Sequence, residues 1–201
     1  MTEIEFIYDF GGPNSWFVHR ALPAIEAKGE VCFRYVPVLL GGLFKATGNR
    51  PPMMTYGHVE AKVAYDRLEM DRFMARHGFS GFKLNPHFPL NTLLAMRGAI
   101  AAERLACGPA YREAMFKGLW EDGLKLDDPA VWAAAVSAAG LDAAALGALV
   151  ENAEVKAELV ANTEAAVARG AFGVPTFFLG DEMWFGKDRL RDVVEAAGGT
   201  V

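Results

Sequence analysis

The chain has 201 residues, 52% hydrophobic and 22% charged, with a formal net charge of −5 and two cysteines. This is a soluble globular composition, long enough for one domain or for one domain carrying a large insertion. An acidic balance without a basic cluster argues against nucleic acid as a partner, and no apolar run approaches the about 20 residues that span a bilayer. The opening Thr2-Glu3-Ile4-Glu5 lacks the basic start of a secretory signal, so a cytoplasmic location is expected.

Residues 4–10 read as a short buried strand, and Gly11-Gly12-Pro13-Asn14-Ser15-Trp16 turns it into a helix over about 15–28. Proline near the first turn, with Asn14 and Ser15 as cap candidates, is a helix-start signal. Such a start leaves N–H groups free and favours an anion. Apolar alternation predicts a second strand over 31–38, with Cys32 as a small core residue. Strand, helix and strand together imply a right-handed crossover. The middle, 39–173, is strand-poor and helical. Val59, Val63, Met70, Phe73, Met74 and His77 share one helix face, while Lys62, Tyr65, Glu69 and Arg72 share another. A helix rich in Ala, Leu and Met follows over 91–106, with Cys107 beside a turn at Gly108-Pro109. Asp128-Pro129 caps a helix over 131–139 that Gly140 ends. A hairpin of 176–179 and 183–185, turning at Gly180-Asp181-Glu182, then leads to a helix over 187–197.

His19, His58, His77 and His87 have no metal-ligand spacing, and no cysteine or carboxylate cluster joins them, so no metal centre is expected. His87, in a loop between two prolines, is the strongest functional candidate of the four. Dithiol chemistry needs two close thiols, and the Gly12–Ser15 turn has none. Val174-Pro175 opens an extended run. That proline is either an ordinary trans residue entering an edge strand or a cis one, at about 0.5–1 kcal/mol. The cis form turns the Val174 carbonyl and N–H outward, free to pair with another extended backbone.

Gly12-Pro13-Asn14-Ser15 stands where DsbA-type oxidoreductases carry Cys-Pro-x-Cys. Further blocks are Gly48-Asn49-Arg50-Pro51-Pro52, Lys62 with Tyr65, the run from Asn85 to Thr92 leading to Met96-Arg97, Ala171 to Phe178, and Trp184 to Leu190. In that order and spacing the chain resembles, nearly end to end, the cysteine-free relatives of those enzymes: 2-hydroxychromene-2-carboxylate isomerases and kappa-class glutathione transferases. The resemblance implies an α/β protein, a DsbA-like arrangement with a thioredoxin-like domain formed by 1–38 and 174–201 and a helical domain, 39–173, inserted between its halves.

It also implies glutathione as cofactor and a small aromatic keto acid as substrate, with a homodimer as in many relatives. Asn49 would hydrogen-bond the glutathione backbone, Lys62 a carboxylate, Val174 and Pro175 the cysteinyl backbone, and Asp188 the α-amino group of the γ-glutamyl unit. Each has a plainer structural role beside it: turn former for Asn49, solvated helix lysine for Lys62, first-turn acid for Asp188. Trp16, Phe44, Met53 and Met54 are candidates for an acceptor wall. The departure is Gly12, where relatives place a serine against the sulfur. The catalytic set expected here is therefore Gly12, Asn14 and Ser15: helix-start N–H groups, the Asn14 amide and the Ser15 hydroxyl, which otherwise serves as a helix cap. The implied reaction is isomerisation by reversible thiol addition. Kappa-like transfer and non-catalytic binding of glutathione or another small peptide are the alternatives.

Overall fold

A computed structural model describes residues 1–201. The first strand, β1 (Thr2–Tyr8), leads into α1 (Pro13–Glu26) and β2 (Val31–Pro37). Eight helices follow before the chain returns to the sheet: α2 (Leu40–Thr47), α3 (Pro52–Tyr56), α4 (Glu60–His77), α5 (Leu93–Arg104), α6 (Gly108–Trp120), α7 (Pro129–Ala138), α8 (Ala143–Val150) and α9 (Ala153–Ala168). The hairpin β3 (Thr176–Leu179) and β4 (Glu182–Phe185) then precedes a 3-10 turn, Lys187–Arg189, and α10 (Leu190–Ala196).

The four strands lie in the order β2-β1-β3-β4. β1 runs parallel to β2, as the intervening helix requires, and antiparallel to β3, with Phe6 opposite both Tyr35 and Phe177. A core of 35 buried residues joins the sheet to the inserted helices: Phe6, Tyr8 and Phe10 meet Tyr111, Phe116 and Trp120 in one cluster. Phe10 stacks edge-on to Phe116 at 4.8 Å, and aromatic pairs in this geometry add to the gain from burial.

The insert leaves and re-enters the sheet at neighbouring points. Leu39 N–H donates to Thr163 Oγ1 at 3.0 Å, Asn162 Nδ2 donates to Pro37 O at 3.3 Å, and Asn49 Nδ2 donates to Phe172 O at 2.8 Å. Helix starts within it follow side-chain capping: Asp128, Asp142 and Asn152 each accept from N–H groups of the first turn, the contact worth about 1 kcal/mol at such sites.

Several boundaries differ from the sequence reading. β1 stops at Tyr8, because Asp9 turns its carboxylate inward and its carbonyl accepts from Gly12 N–H. Cys32 sits half-buried on the edge strand β2, with its thiol near Thr2 O. On the shared face of α4, Phe73 is buried and Met70 and Met74 pack half-buried against the same core, while Val59 at its start is exposed. The C-terminal helix is broken at its start into the 3-10 turn and α10. No helix is long and apolar enough to cross a membrane.

Candidate active site

The turn between β1 and α1 is pinned from three sides. Asp9 is fully buried; Oδ1 accepts from Gly11 N–H at 2.8 Å and Oδ2 from Leu40 N–H at 2.7 Å. Burial pushes its carboxyl above the ordinary value, while the two N–H donors and Thr92 pull the other way. Trp120 Nε1 donates to Phe10 O at 2.7 Å, and Phe10 N–H reaches Met96 Sδ at 3.3 Å. Helices α5 and α6 thereby fix the position of a turn that belongs to the sheet.

From this turn α1 starts at Pro13 with Gly12 as its N-cap residue, and no side chain caps it. Ser15 is fully buried and its Oγ has no hydrogen-bond partner; the Asn14 Oδ1 is likewise buried and unpaired. Unpaired buried oxygens cost about 1–3 kcal/mol each. Both lie in consecutive residues at the start of α1. Ser15 is therefore not engaged in the helix-capping role that its position offered.

Val174 closes over this turn. The Val174–Pro175 bond is cis, as is Phe88–Pro89. The Val174 N–H and C=O make no hydrogen bond to other backbone groups, whereas Pro175 O accepts from Gly186 N–H at 2.8 Å. A Cβ built on Gly12 would lie 2.7 Å from Val174 Cγ2 and 3.2 Å from Ser15 Oγ. The backbone at Gly12 is ordinary, with φ −87 and ψ 107, so any residue fits its conformation. Space is what restricts one: the stiff branched side chain of Val174 has to shift before a Cβ fits at position 12.

A measurable result follows. Gly12→Ser alone is expected to lower stability by about 1–3 kcal/mol, the cost of overpacking. Val174→Ala added to it should recover most of that loss, so the two changes are strongly non-additive in urea melts. Additive losses would show that the turn and the proline loop are not in contact in solution.

The remaining predicted residues fall in different places. Asn49 is exposed, and its amide already ties the α2–α3 loop to Phe172, while Oδ1 accepts from Arg50 N–H at 2.8 Å. Lys62 is paired with Asp66 one turn along α4, and its ammonium lies 5.9 Å from the Tyr56 ring centroid. Asp188 is open to solvent on one side, and Lys187 Nζ donates to its Oδ1 at 2.5 Å. Trp16 does not line a pocket: it is fully buried against Phe17, Phe79 and Phe82. Phe44 is half-buried on α2, and Met53 and Met54 are exposed on α3. Of the 85–92 loop, Thr92 reaches the site turn, lying 2.9 Å from a Cβ built on Gly11. Buried Asn85 instead holds the Leu119 and Leu124 carbonyls, and His87 is exposed.

Two residues escaped sequence reasoning. Asp9 was hidden inside an apolar run, although a carboxylate directly before Gly-Gly is the signal. Lys187 looked like the variable position of Phe-Gly-x-Asp-Arg, yet its side chain is only 5% exposed.

A four-stranded sheet with a helix start facing a proline turn, and no cysteine at either, defines a thioredoxin-like protein without a dithiol at its site. The chain belongs to the DSBA-like thioredoxin domain family, whose model matches residues 3–198. It is 29% identical to a 2-hydroxychromene-2-carboxylate isomerase of Pseudomonas sp. (strain C18), covering 98% of this chain and 90% of that one. It is 28% identical to human glutathione S-transferase kappa 1, over 97% of this chain and 90% of the relative. A solved 2-hydroxychromene-2-carboxylate isomerase superimposes with a TM-score of 0.83 at 26% identity, covering 98% of this chain and 95% of that one. Relatives matched over nearly their whole length thus include proteins named as isomerase and as glutathione transferase.

Proposed function

We propose that this protein is a glutathione-dependent isomerase of the 2-hydroxychromene-2-carboxylate type, acting on aromatic keto acids in the breakdown of aromatic rings in the cytoplasm. The observation that carries this reading is the buried Ser15 Oγ, which has no hydrogen-bond partner and lies beside Gly12 where Val174 of the cis-proline loop also approaches. It suits a ligand thiol brought to the helix start, and the turn supplies no thiol of its own. When bound, glutathione supplies a nucleophilic sulfur that can add to a conjugated carbon and leave again, which is how a double bond temporarily loses its rigidity.

The residues of this chain hold and orient it. The unpaired Val174 N–H and C=O pair with the cysteinyl backbone as a short added strand. Gly12 and Ser15 N–H are taken by Asp9 O and Gly12 O, so the Asn14 N–H, the dipole of α1 and the Ser15 hydroxyl stabilise the thiolate, lowering its pKa from the usual thiol range. Asn49, from the α2–α3 loop, is assigned to the peptide backbone and Lys62, from α4, to a carboxylate of glutathione, each exchanging a present partner, Phe172 O and Asp66, for the ligand; Asp188 is assigned to the α-amino group of the γ-glutamyl unit. Pro175 sets the direction of the loop that carries Val174.

Ser15→Ala is expected to raise the pKa of the bound thiol and to reduce turnover about tenfold or more, because a hydrogen bond to a charged group is worth about 1.5–3 kcal/mol. Ultraviolet thiolate titration and rates on chromene carboxylates and benzylidenepyruvates check it. Turnover that consumes no glutathione supports the isomerase; stoichiometric conjugate supports kappa-like transfer instead. The lack of a side chain at Gly12 favours a third outcome, affinity without thiolate absorbance or turnover, which would make the protein a binder.

A further inference from the structure

Of the 14 phenylalanines, only Phe172 and Phe185 are exposed, at 36% and 42%. Their rings touch, with centroids 4.4 Å apart and planes tilted by 45°. Contiguous aromatic surface left open to water is the kind of patch that marks a binding site.

The pair brackets the loop that carries Val174. Phe172 lies just before it, and Phe185 ends β4 opposite Thr176, just after it. Gly173 lets the second ring lie on the loop itself, because a Cβ built there would stand 3.0 Å from Phe185 Cε2 and 3.3 Å from Cζ. Carbonyl contacts hold the loop in place. Phe172 O accepts from Asn49 Nδ2, Gly173 O from Thr176 Oγ1 and Pro175 O from Gly186 N–H, each at 2.8 Å. Val174 in turn reaches the site turn, its Cγ2 lying 2.7 Å from a Cβ built on Gly12. The ring pair and the start of α1 therefore flank one short, fixed stretch of backbone.

Charge points the same way. Arg50 follows Asn49 in the loop tied to Phe172, and its N–H donates to Asn49 Oδ1 at 2.8 Å. Its guanidinium is exposed and forms no ion pair, whereas Arg169, the nearest basic residue before Phe172, is spent on Glu5 and Gly180 O. A ligand that takes over the Asn49 amide lies between the same two segments. Rings that receive a planar apolar group, beside a free cation that receives a carboxylate, fit an aromatic acid. An apolar face of a partner protein would leave that cation without a use.

We infer that Phe172 and Phe185 stack the aromatic ring of the acceptor substrate and that Arg50 meets its carboxylate. The inference rests on the isomerase reading above and adds the residues that choose the substrate. The acceptor wall moves from Trp16, which the core has taken, to the proline-loop side.

Kinetics with saturating glutathione give the first test. Phe172→Leu and Phe185→Leu should each raise KM for a benzylidenepyruvate about fivefold, and Arg50→Gln about tenfold, while the Kd for glutathione stays within about twofold. The methyl ester of the same keto acid should be insensitive to Arg50→Gln. An unchanged KM in both leucine variants overturns the inference, as does a loss of glutathione affinity equal to the rise in KM, or an ester as sensitive as the acid. The second test needs neither thiol nor turnover. Cinnamate and hexanoate are titrated separately, at millimolar concentration, against 15N-labelled protein. Cinnamate should shift the signals of residues 172–174 and 184–186 and bind at least about threefold tighter than hexanoate, a preference that Phe185→Leu removes. Equal binding of the two acids, or shifts confined to other residues, overturn it. So does a leucine variant that dissociates an assembly in sedimentation while keeping its cinnamate affinity, which would make the rings a contact between copies. If glutathione does not bind and nothing turns over while cinnamate still shifts those signals with that preference, the isomerase reading falls and the aromatic site stands.

Discussion

Asp9→Ala should lower folding stability by about 3 kcal/mol and loosen the site turn. The substitution leaves the Gly11 and Leu40 N–H groups facing an apolar space, and each such orphan costs about 1–3 kcal/mol. Against this stands relief from burying a carboxylate, whose cost shows in the raised pKa. Two orphaned donors at about 1–3 kcal/mol each exceed that relief, which leaves the expected net loss. Urea melts should show a lower midpoint with an unchanged slope. Asp9→Asn adds a pH test. A carboxyl whose folded pKa lies above its unfolded value of 3.8 makes the folded state hold the proton longer. Its contribution is present below that value and is lost as pH rises through the folded pKa. The difference in stability between the native protein and Asp9→Asn should therefore shrink as pH rises through that window. A difference that grows instead would mean that the ionised form is the favoured one.

Gly98→Ala is expected to destabilise by about 3 kcal/mol, against the usual sign for a glycine inside a helix. Helix propensity alone favours alanine by about 1 kcal/mol. Here a Cβ would sit 2.0 Å from Tyr111 Oη and 2.6 Å from its Cζ. Tyr111 is fully buried; its hydroxyl donates to Ala95 O at 2.9 Å and accepts from Trp132 Nε1 at 2.7 Å. Making room shifts a ring that has two hydrogen bonds to lose, and overpacking adds about 1–3 kcal/mol. In a Tyr111→Phe background the same Gly98→Ala change should cost less, because the nearest atom is gone. Thermal melts of the four proteins in that cycle decide it. A gain in stability from Gly98→Ala would show that α5 and α6 stand further apart than described.

Much of this was legible from residue order, and the reasons are local. The hairpin announced itself through Gly180-Asp181 between two apolar runs, and α7 through Asp128-Pro129; in both, the chemistry of one turn decides the outcome. The juxtaposition of Gly12–Ser15 with Val174–Pro175 came from the resemblance, since no local rule brings residues so far apart in sequence together. What stayed hidden depends on tertiary burial. Asp9 reads as a strand residue until the N–H groups of Gly11 and Leu40 are seen to converge on it. The depth to which the apolar face of α4 is buried was hidden as well: Phe73 enters the core, Met70 and Met74 only pack against it, and Val59 stays exposed. Trp16, chosen as pocket wall for its size and place, was taken by the core for the same properties. Lys187 shows the converse: a residue type expected at the surface, buried because Asp188 and Phe73 receive it.

The contacts that bring residues 37–39 beside 162–163, and Asn49 beside Phe172, mean that the sheet sees the intervening chain as a loop with clasped ends. For such a loop the entropy of closure rises only with the logarithm of its length, by about 0.6 kcal/mol per doubling. Chain added at an outlying bend is therefore inexpensive to the sheet. Gly140, exposed between α7 and α8 with nothing within 4 Å of a built Cβ, is such a bend. Segments bearing Tyr111, Phe116 and Trp120 are the opposite case, because they form part of the wall on which β1 rests. This architecture can lengthen at its periphery and still keep the same turn in the same place.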